Sequence, residues 1–239
     1  MRGNGLPWYG RPNKPGWLAI DLETRSEIDL TKCGVHRYVE GKKHRILLFC
    51  FQFEGDQDVT AIDMACGEMI PKEVMEALDD SEIIKTAWNA QFERTVIGHC
   101  LGRTLSPDSW QCTMVWAAGL SLPLSLKGAA QALKVEQQKD RAGEALIKKF
   151  SVPQKPTKVN GMKEWIEPKD APEDWERFKE YCKQDVRTEV SIREKLMNYP
   201  LPAHEWDFYR MDQRINDRGV RIDTQLVRQA IACDLMLSE

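Results

Sequence analysis

The first half of the chain is punctuated by short apolar runs, and the second half by apolar positions recurring every three to four residues. Trp17-Leu18-Ala19-Ile20 leads into Asp21 and predicts a buried strand whose end is Asp21-Leu22-Glu23. The run from Arg45 to Phe53 predicts a second strand, Gly55-Asp56 a turn, and the alternation from Asp58 to Asp63 a third strand, so the last two form a hairpin. Pro71 suits the first turn of a helix reaching about Leu78. Glu82 to Ala87 then predicts a fourth strand and Ala90 to Leu101 a helix. From Thr113 onward the pattern is mostly helical, with breaks at Pro123 and near Val135. Phe150 to Asp170, with its prolines and lysines, is expected to be an ordered but irregular loop. Trp175, Phe178, Cys182, Val186 and Val190 form the apolar stripe of a long helix from about Pro172 to Met197, which Pro200 and Pro202 end. A further helix starts near His204 and closes at Gly219, and residues 1–16, rich in Gly and Pro, are expected to be a flexible arm. Strands first and helices later, with some interleaving, predict an α/β protein with a mixed central sheet covered by helices.

Composition narrows this picture. With 239 residues, 42% of them hydrophobic, the chain can bury one good core. A net charge of −3 excludes bulk electrostatic attraction as the means of holding nucleic acid, so any such contact must be local. Seven cysteines with no C-x-x-C pair argue against both a zinc ribbon and a secreted disulfide framework, and favour a reduced, cytoplasmic setting. No apolar run approaches the ~20 residues of a membrane span. Cys33 and His36 have the spacing of half a zinc site but lack a partner pair. Trp110, Trp116 and Trp175 sit among apolar neighbours and are expected in the core.

The candidate chemistry is acidic. Asp21 and Glu23, two apart on a strand, project to the same side while Leu22 faces the other. Two neighbouring carboxylates repel unless a cation lies between them; alone, such a pair is more often simply solvated. Asn89 is a suitable helix N-cap and sets Glu93 just past the first turn, where an acid also complements the helix dipole. Tyr181 and Asp185 are one turn apart and share a face beside the apolar stripe; separately they could be a core aromatic and a solvated acid.

Taken in order, D-x-E on a first strand, N-x-x-x-acid at a strand-to-helix junction and Y-x-x-x-D on a late helix resemble the three exonuclease motifs of the proofreading domains of family-A DNA polymerases, phage or bacterial in type. The tyrosine is that of the DEDDy branch. The likeness runs from about Trp17 to Pro200 and includes Cys112-Thr113-Met114 and Leu124-Ser125-Leu126-Lys127-Gly128. Asn216 to Asp223 resembles the segment that opens the polymerase portion of such enzymes, which makes residues 201–239 a helical segment outside the 17–200 exonuclease domain.

The resemblance implies a ribonuclease H-like fold and a 3'-5' exonuclease that uses two Mg²⁺ or Mn²⁺ ions, hard cations suited to carboxylate oxygens. Asp21 would touch both ions, Glu23 and Asp185 the ion that activates water, and Glu93 the second. Tyr181 would orient the attacking water, and Thr24 and Asn89 would contact the terminal nucleotide. Single-stranded DNA or a frayed primer 3' end would be the substrate, and a polymerase domain, in cis or in trans, the partner, in a bacterial or phage-infected cell. Phe92 and Trp88 are candidate stacking platforms, and Lys42 to Arg45, Lys148-Lys149, Lys155 and Lys158 candidate backbone contacts, though such runs are as often plain surface. One residue departs from the pattern: Glu93 stands where the second motif usually carries Asp. A shift of ~1 Å at a catalytic site can cost about 10²-fold in rate. An adjusted backbone with normal activity is the favoured outcome, ahead of a weaker second metal or a domain that has lost editing. For the protein as a whole, a scaffold that binds single strands without cutting, or an exonuclease that trims RNA, are the alternatives.

Overall fold

The computed structural model describes residues 8–11, 13–135, 143–158 and 160–238. Its centre is a five-stranded sheet built from β1 (Trp17–Arg25), β2 (Arg45–Phe53), β3 (Thr60–Asp63), β4 (Ile84–Ala87) and β5 (Trp110–Cys112), in the order β3-β2-β1-β4-β5. β1 pairs antiparallel with β2, and β2 with β3, whereas β1–β4 and β4–β5 are parallel. The sheet is therefore mixed, as expected. Around it lie α1 (Leu30–Tyr38), α2 (Lys72–Asp79), α3 (Ala90–Cys100), α4 (Thr113–Gly119), α5 (Leu126–Ala132), α6 (Gly143–Phe150), α7 (Pro172–Leu196), α8 (Ala203–Arg218) and α9 (Thr224–Leu237). Gly55 turns the β2–β3 hairpin at φ 87°, a left-handed conformation open to glycine at little cost.

The two faces of β1 sort its residues. Leu18, Ile20 and Leu22 enter the core that holds Val96 and Ile97 of α3, while Ala19 packs with Phe178, Cys182 and Val186 of α7. Asp21 and Glu23 lie on the α7 face by the same alternation. A third cluster joins Trp116, Ala129 and Ala130 to Ile192 and Leu196 at the far end of α7. Trp175 fastens the other end, its indole N–H donating to Asp63 Oδ2 at 2.7 Å in the interior. Trp110, Trp116 and Trp175 are all buried.

The long helix, the hairpin and α3 follow the sequence pattern, but three boundaries move. β1 runs on to Arg25, with an irregularity between Glu23 and Thr24, so the acidic pair lies inside the strand instead of at its end. β3 begins at Thr60 and β4 at Ile84, because Asp58-Val59 and Glu82-Ile83 make no ladder pairing, although Val59 and Ile83 are buried. Two elements had no usable signal: α1 is broken internally at Gly34 (φ 72°) and buries only Tyr38, and β5 has three residues. Of the expected N-terminal arm, residues 1–7 and 12 lie outside the described residues. Trp8 packs edge-on to Phe53, and Arg11 pairs with Asp56 at 2.8 Å while lying over the Phe53 ring. Among the described residues no helix is long and apolar enough to cross a membrane.

Candidate active site

The site forms where β1 passes under α7. Asp21, Glu23 and Cys182 offer ligand atoms that all lie within 4.8 Å of one another. The Cys182 thiol donates to Asp21 Oδ2 at 3.4 Å. This cysteine belongs to the apolar stripe, which explains why the sequence suggested only packing for it; its place one turn before Asp185, on the same side of the helix, was the available clue. Glu93 and Asp185 stand outside that trio, yet their charges act on it. Burial first, and then Asp185, push the Asp21 carboxyl well above the ordinary carboxylate range. Glu23 is raised by burial and by Asp21, Asp185 and Glu93. Glu93 is raised by burial and by Asp21, and Asp185 by burial to about 6, partly offset by Tyr181. Of the four acidic groups expected to meet, Asp21 and Glu23 offer ligand atoms within 4.8 Å of each other, and Glu93 and Asp185 are linked to them through their charges.

Tyr181 completes it. Burial raises its hydroxyl, and Asp185, through charge and a hydrogen bond, raises it further. The ring stacks parallel to Phe178, with centroids 6.4 Å apart. On the strand side, the Thr24 hydroxyl is bonded to the Tyr38 hydroxyl at 2.8 Å, in the interior. Phe92 is half-buried and tilted against Tyr38, with centroids 6.1 Å apart. Asn89 occupies the N-cap position of α3 but makes no side-chain capping bond, contrary to the capping role its type suggested. Its φ of −129° and ψ of 63° depart from the extended conformation in which a cap side chain usually reaches the helix N–H groups. The Trp88 indole donates to the Leu124 carbonyl at 3.1 Å. Several of the expected basic contacts are already engaged: Lys43 with Glu164, Arg45 with Glu167 at 3.0 Å, and Lys149 with Asp174 at 2.6 Å.

A fifth carboxylate lies beneath the cluster and was not anticipated. Glu189, one turn beyond Asp185 and only 3% exposed, accepts from Thr86 Oγ1 at 2.7 Å and from the Thr113 hydroxyl. Its charge reaches both Asp21 and Glu93. The Tyr181, Asp185, Glu189 spacing was the signal that could have revealed it.

These groups fit a divalent cation. Oε2 of Glu93 and Oε2 of Glu189 are buried with no hydrogen-bond partner, a costly state for a carboxylate left alone. Three cations of α7 turn elsewhere, Lys183 and Arg187 pairing with Asp58 and Glu180 and Lys179 with Glu176 and Asp63, while Arg193 offsets part of the charge of Glu189. All the donors but Cys182 are hard oxygens of the kind Mg²⁺ and Mn²⁺ take.

No family model matches the chain. The fold has clear counterparts among solved structures: Escherichia coli RNase D, described as an exoribonuclease involved in structured RNA processing, with a TM-score of 0.53, 18% identity, and coverage of 86% of this chain and 46% of that one. Brucella melitensis NrnC has a TM-score of 0.52 at 16% identity, covering 86% and 87%. Trypanosoma brucei RNase D has a TM-score of 0.52 at 18% identity, covering 76% and 57%. The mixed sheet with flanking helices is thus ribonuclease H-like. In sequence, the chain is 50% identical over 217 residues, 91% of its length, to the DNA polymerase of Bacillus phage SP02, and spans about a third (33%) of that protein. The likeness read from three short motifs therefore extends along nearly the whole chain, to a phage DNA polymerase.

Proposed function

We propose that residues 17–200 form a divalent-metal-dependent 3'-5' exonuclease domain that removes the terminal nucleotide of single-stranded DNA, as the proofreading part of a phage-type DNA polymerase. The observation that carries this reading is the mutual charge coupling of Asp21, Glu23, Glu93 and Asp185 beside Tyr181, with Glu23 and Glu93 buried, Asp21 and Asp185 half-buried, and none of the four in a salt bridge among the described residues. Two Mg²⁺ or Mn²⁺ ions at such a cluster would supply the charge that stabilises the attacking and leaving oxygens of phosphodiester hydrolysis. An NrnC structure with bound Mg²⁺ shares the fold at a TM-score of 0.50. Asp21, Glu23 and Asp185 would hold one ion and Asp21 and Glu93 the other, with the charge of Glu189 behind them. Tyr181, whose raised hydroxyl keeps its proton at neutral pH, donates and does not act as a base; it orients the attacking water. Phe92 presents a ring to the terminal base, and Asn89, free of a capping bond, can reach the nucleotide. Thr24 does so through an oxygen already bonded to Tyr38.

The polymerase relative favours DNA and a polymerase partner in cis or in trans, in an infected bacterial cell. An RNA-trimming activity is the second reading, supported by the likeness to RNase D. The test is degradation of a 5'-labelled single strand against Mn²⁺ concentration, with DNA and RNA strands in competition. Asp21→Asn and Asp185→Asn are expected to abolish shortening from the 3' end and leave the fold intact. Wild type that binds the strand and never shortens it at any Mn²⁺ or Mg²⁺ concentration would sink the reading in favour of a scaffold.

A further inference from the structure

Gly143 opens α6, and its backbone is not left-handed, so nothing in its φ calls for glycine. Alanine is the better helix former. What excludes a side chain is the neighbour: a Cβ at position 143 would stand 2.6 Å from Cδ2 and 3.0 Å from Cζ of Tyr181, and closer still to Cε2. Carbon atoms attract best at about 3.5–4.0 Å and repel steeply at such separations. The head of α6 cannot easily retreat, because the rest of the helix is anchored on α7. Leu146 and Phe150 are buried, Phe150 lies edge-on to Trp175 at 4.9 Å and stacks on Phe178 at 5.3 Å, and Lys149 pairs with Asp174. Phe178 in turn stacks parallel to the Tyr181 ring. The ring is thus bounded by Phe178 along the helix and by the bare backbone of Gly143 at its edge.

We infer that Gly143 is a positioning residue for Tyr181: the missing side chain at the head of α6 leaves the space that the tyrosine ring occupies, and so sets its hydroxyl beside Asp185. The inference rests on the exonuclease reading above for its kinetic consequence, and on the packing alone for its structural one. A methyl group at 143 drives the ring aside by about the 1 Å that costs a catalytic group ~10²-fold, while the strand-binding residues keep their places.

The decisive experiment is a double-mutant cycle of Gly143→Ala and Tyr181→Phe, read as kcat and KM for 3' trimming in Mn²⁺, with melts of every variant. Gly143→Ala is expected to lower kcat by about 10- to 100-fold with KM unchanged, and to cost nothing more once the hydroxyl is gone. Full additivity, or a Gly143→Ala variant with wild-type kcat, overturns the inference. Should Gly143→Ala melt below the assay temperature, adding Tyr181→Ala restores the fold if the ring is the obstacle; no restoration overturns it. Fluorotyrosine ¹⁹F spectra separate this from the exonuclease reading, since the protein has 5 tyrosines and Tyr181→Phe identifies the signal. A Tyr181 resonance unmoved by Gly143→Ala sinks the inference even if wild type is active. A moved resonance in a protein that does not trim sinks the activity and leaves the contact standing.

Discussion

Asp185 lies between Tyr181 and Glu189 on one face of α7, and its carboxyl is raised to about 6 by burial. Asp21, Glu23 and Glu93 are raised as well. A carboxyl whose folded pKa exceeds its unfolded one holds its proton more tightly in the native state. The stability it contributes is complete below the unfolded value and is lost as pH climbs through the folded one. Without metal these groups should therefore cost stability as pH rises from the ordinary carboxylate value of 3.8 to about 6. His44, held down to about 4 by burial, contributes in the opposite sense, so wild type should lose melting temperature over this range relative to Asp185→Asn. Saturating Mn²⁺ at neutral pH should reverse it, by about 2.7 kcal/mol at a hundred times the dissociation constant. Melts in EDTA and in Mn²⁺ across this range decide the matter; a metal-free difference between wild type and Asp185→Asn that does not change with pH is incompatible with mutually repelling carboxylates. Glu189→Gln is the second probe. It keeps an acceptor for Thr86 and Thr113 but removes a charge that acts on Asp21 and Glu93. The Mn²⁺ concentration needed for half-maximal trimming should rise about tenfold, as for other groups that support metal ligands, and an unchanged titration curve would reduce Glu189 to a structural fastener of the two threonines.

At the scale of elements, α7 does most to build the site. Its stripe was legible because Trp175, Phe178, Cys182 and Val186 recur at helical spacing and all end up buried. The same stripe concealed Cys182 and gave no hint of Glu189, since a period says which side of a helix is inward and not which acids accompany it. D-x-E was legible for a related reason: strand alternation puts both acids on one side wherever the strand ends, so misjudging the end of β1 by two residues changed nothing about the pair. What could not be read were the pieces lacking periodicity. α1 is interrupted at Gly34, β5 is held by its parallel pairing to β4, and the free N-cap of α3 depends on a backbone conformation that residue type does not encode. Phe178 tests the element directly. It is fully buried between Phe150, Trp175 and Tyr181. Phe178→Ala should cost about 3–5 kcal/mol in denaturant melts and should also slow trimming, by loosening Tyr181. A loss near 1 kcal/mol would mean that α6 and α7 repack across the gap.

For the molecule as a whole, the informative contact is made by the residue next to Glu93. Arg94, on the α3 turn that follows Glu93, is 1% exposed; it donates to the Leu105 carbonyl at 2.8 Å, to Gln213 at 3.1 Å and to both oxygens of Asp217 at 2.7 and 2.8 Å. Gln213 and Asp217 belong to α8, so that helix holds the only carboxylate paired with this buried guanidinium among the described residues. α9 is different in kind: it buries no residue, and Leu226, Ile231 and Leu235 are each more than half exposed. The segment after residue 200 thus divides at Gly219, with α8 packed onto the 17–200 domain through Tyr209 and the Arg94–Asp217 pair and α9 contributing nothing to its core. Removing one partner of a buried ion pair costs about 3–5 kcal/mol, because the charge left behind stays buried. A chain ending at residue 200, or the single substitution Asp217→Ala, should therefore lose stability of that order and disturb the α3 turn that carries Glu93. A chain ending at residue 219 should melt within about 0.5 kcal/mol of the full one, as expected when only exposed groups are removed. Equal stability of the 200 and 219 forms would show that Arg94 finds another partner and that α8 is as dispensable to this fold as α9.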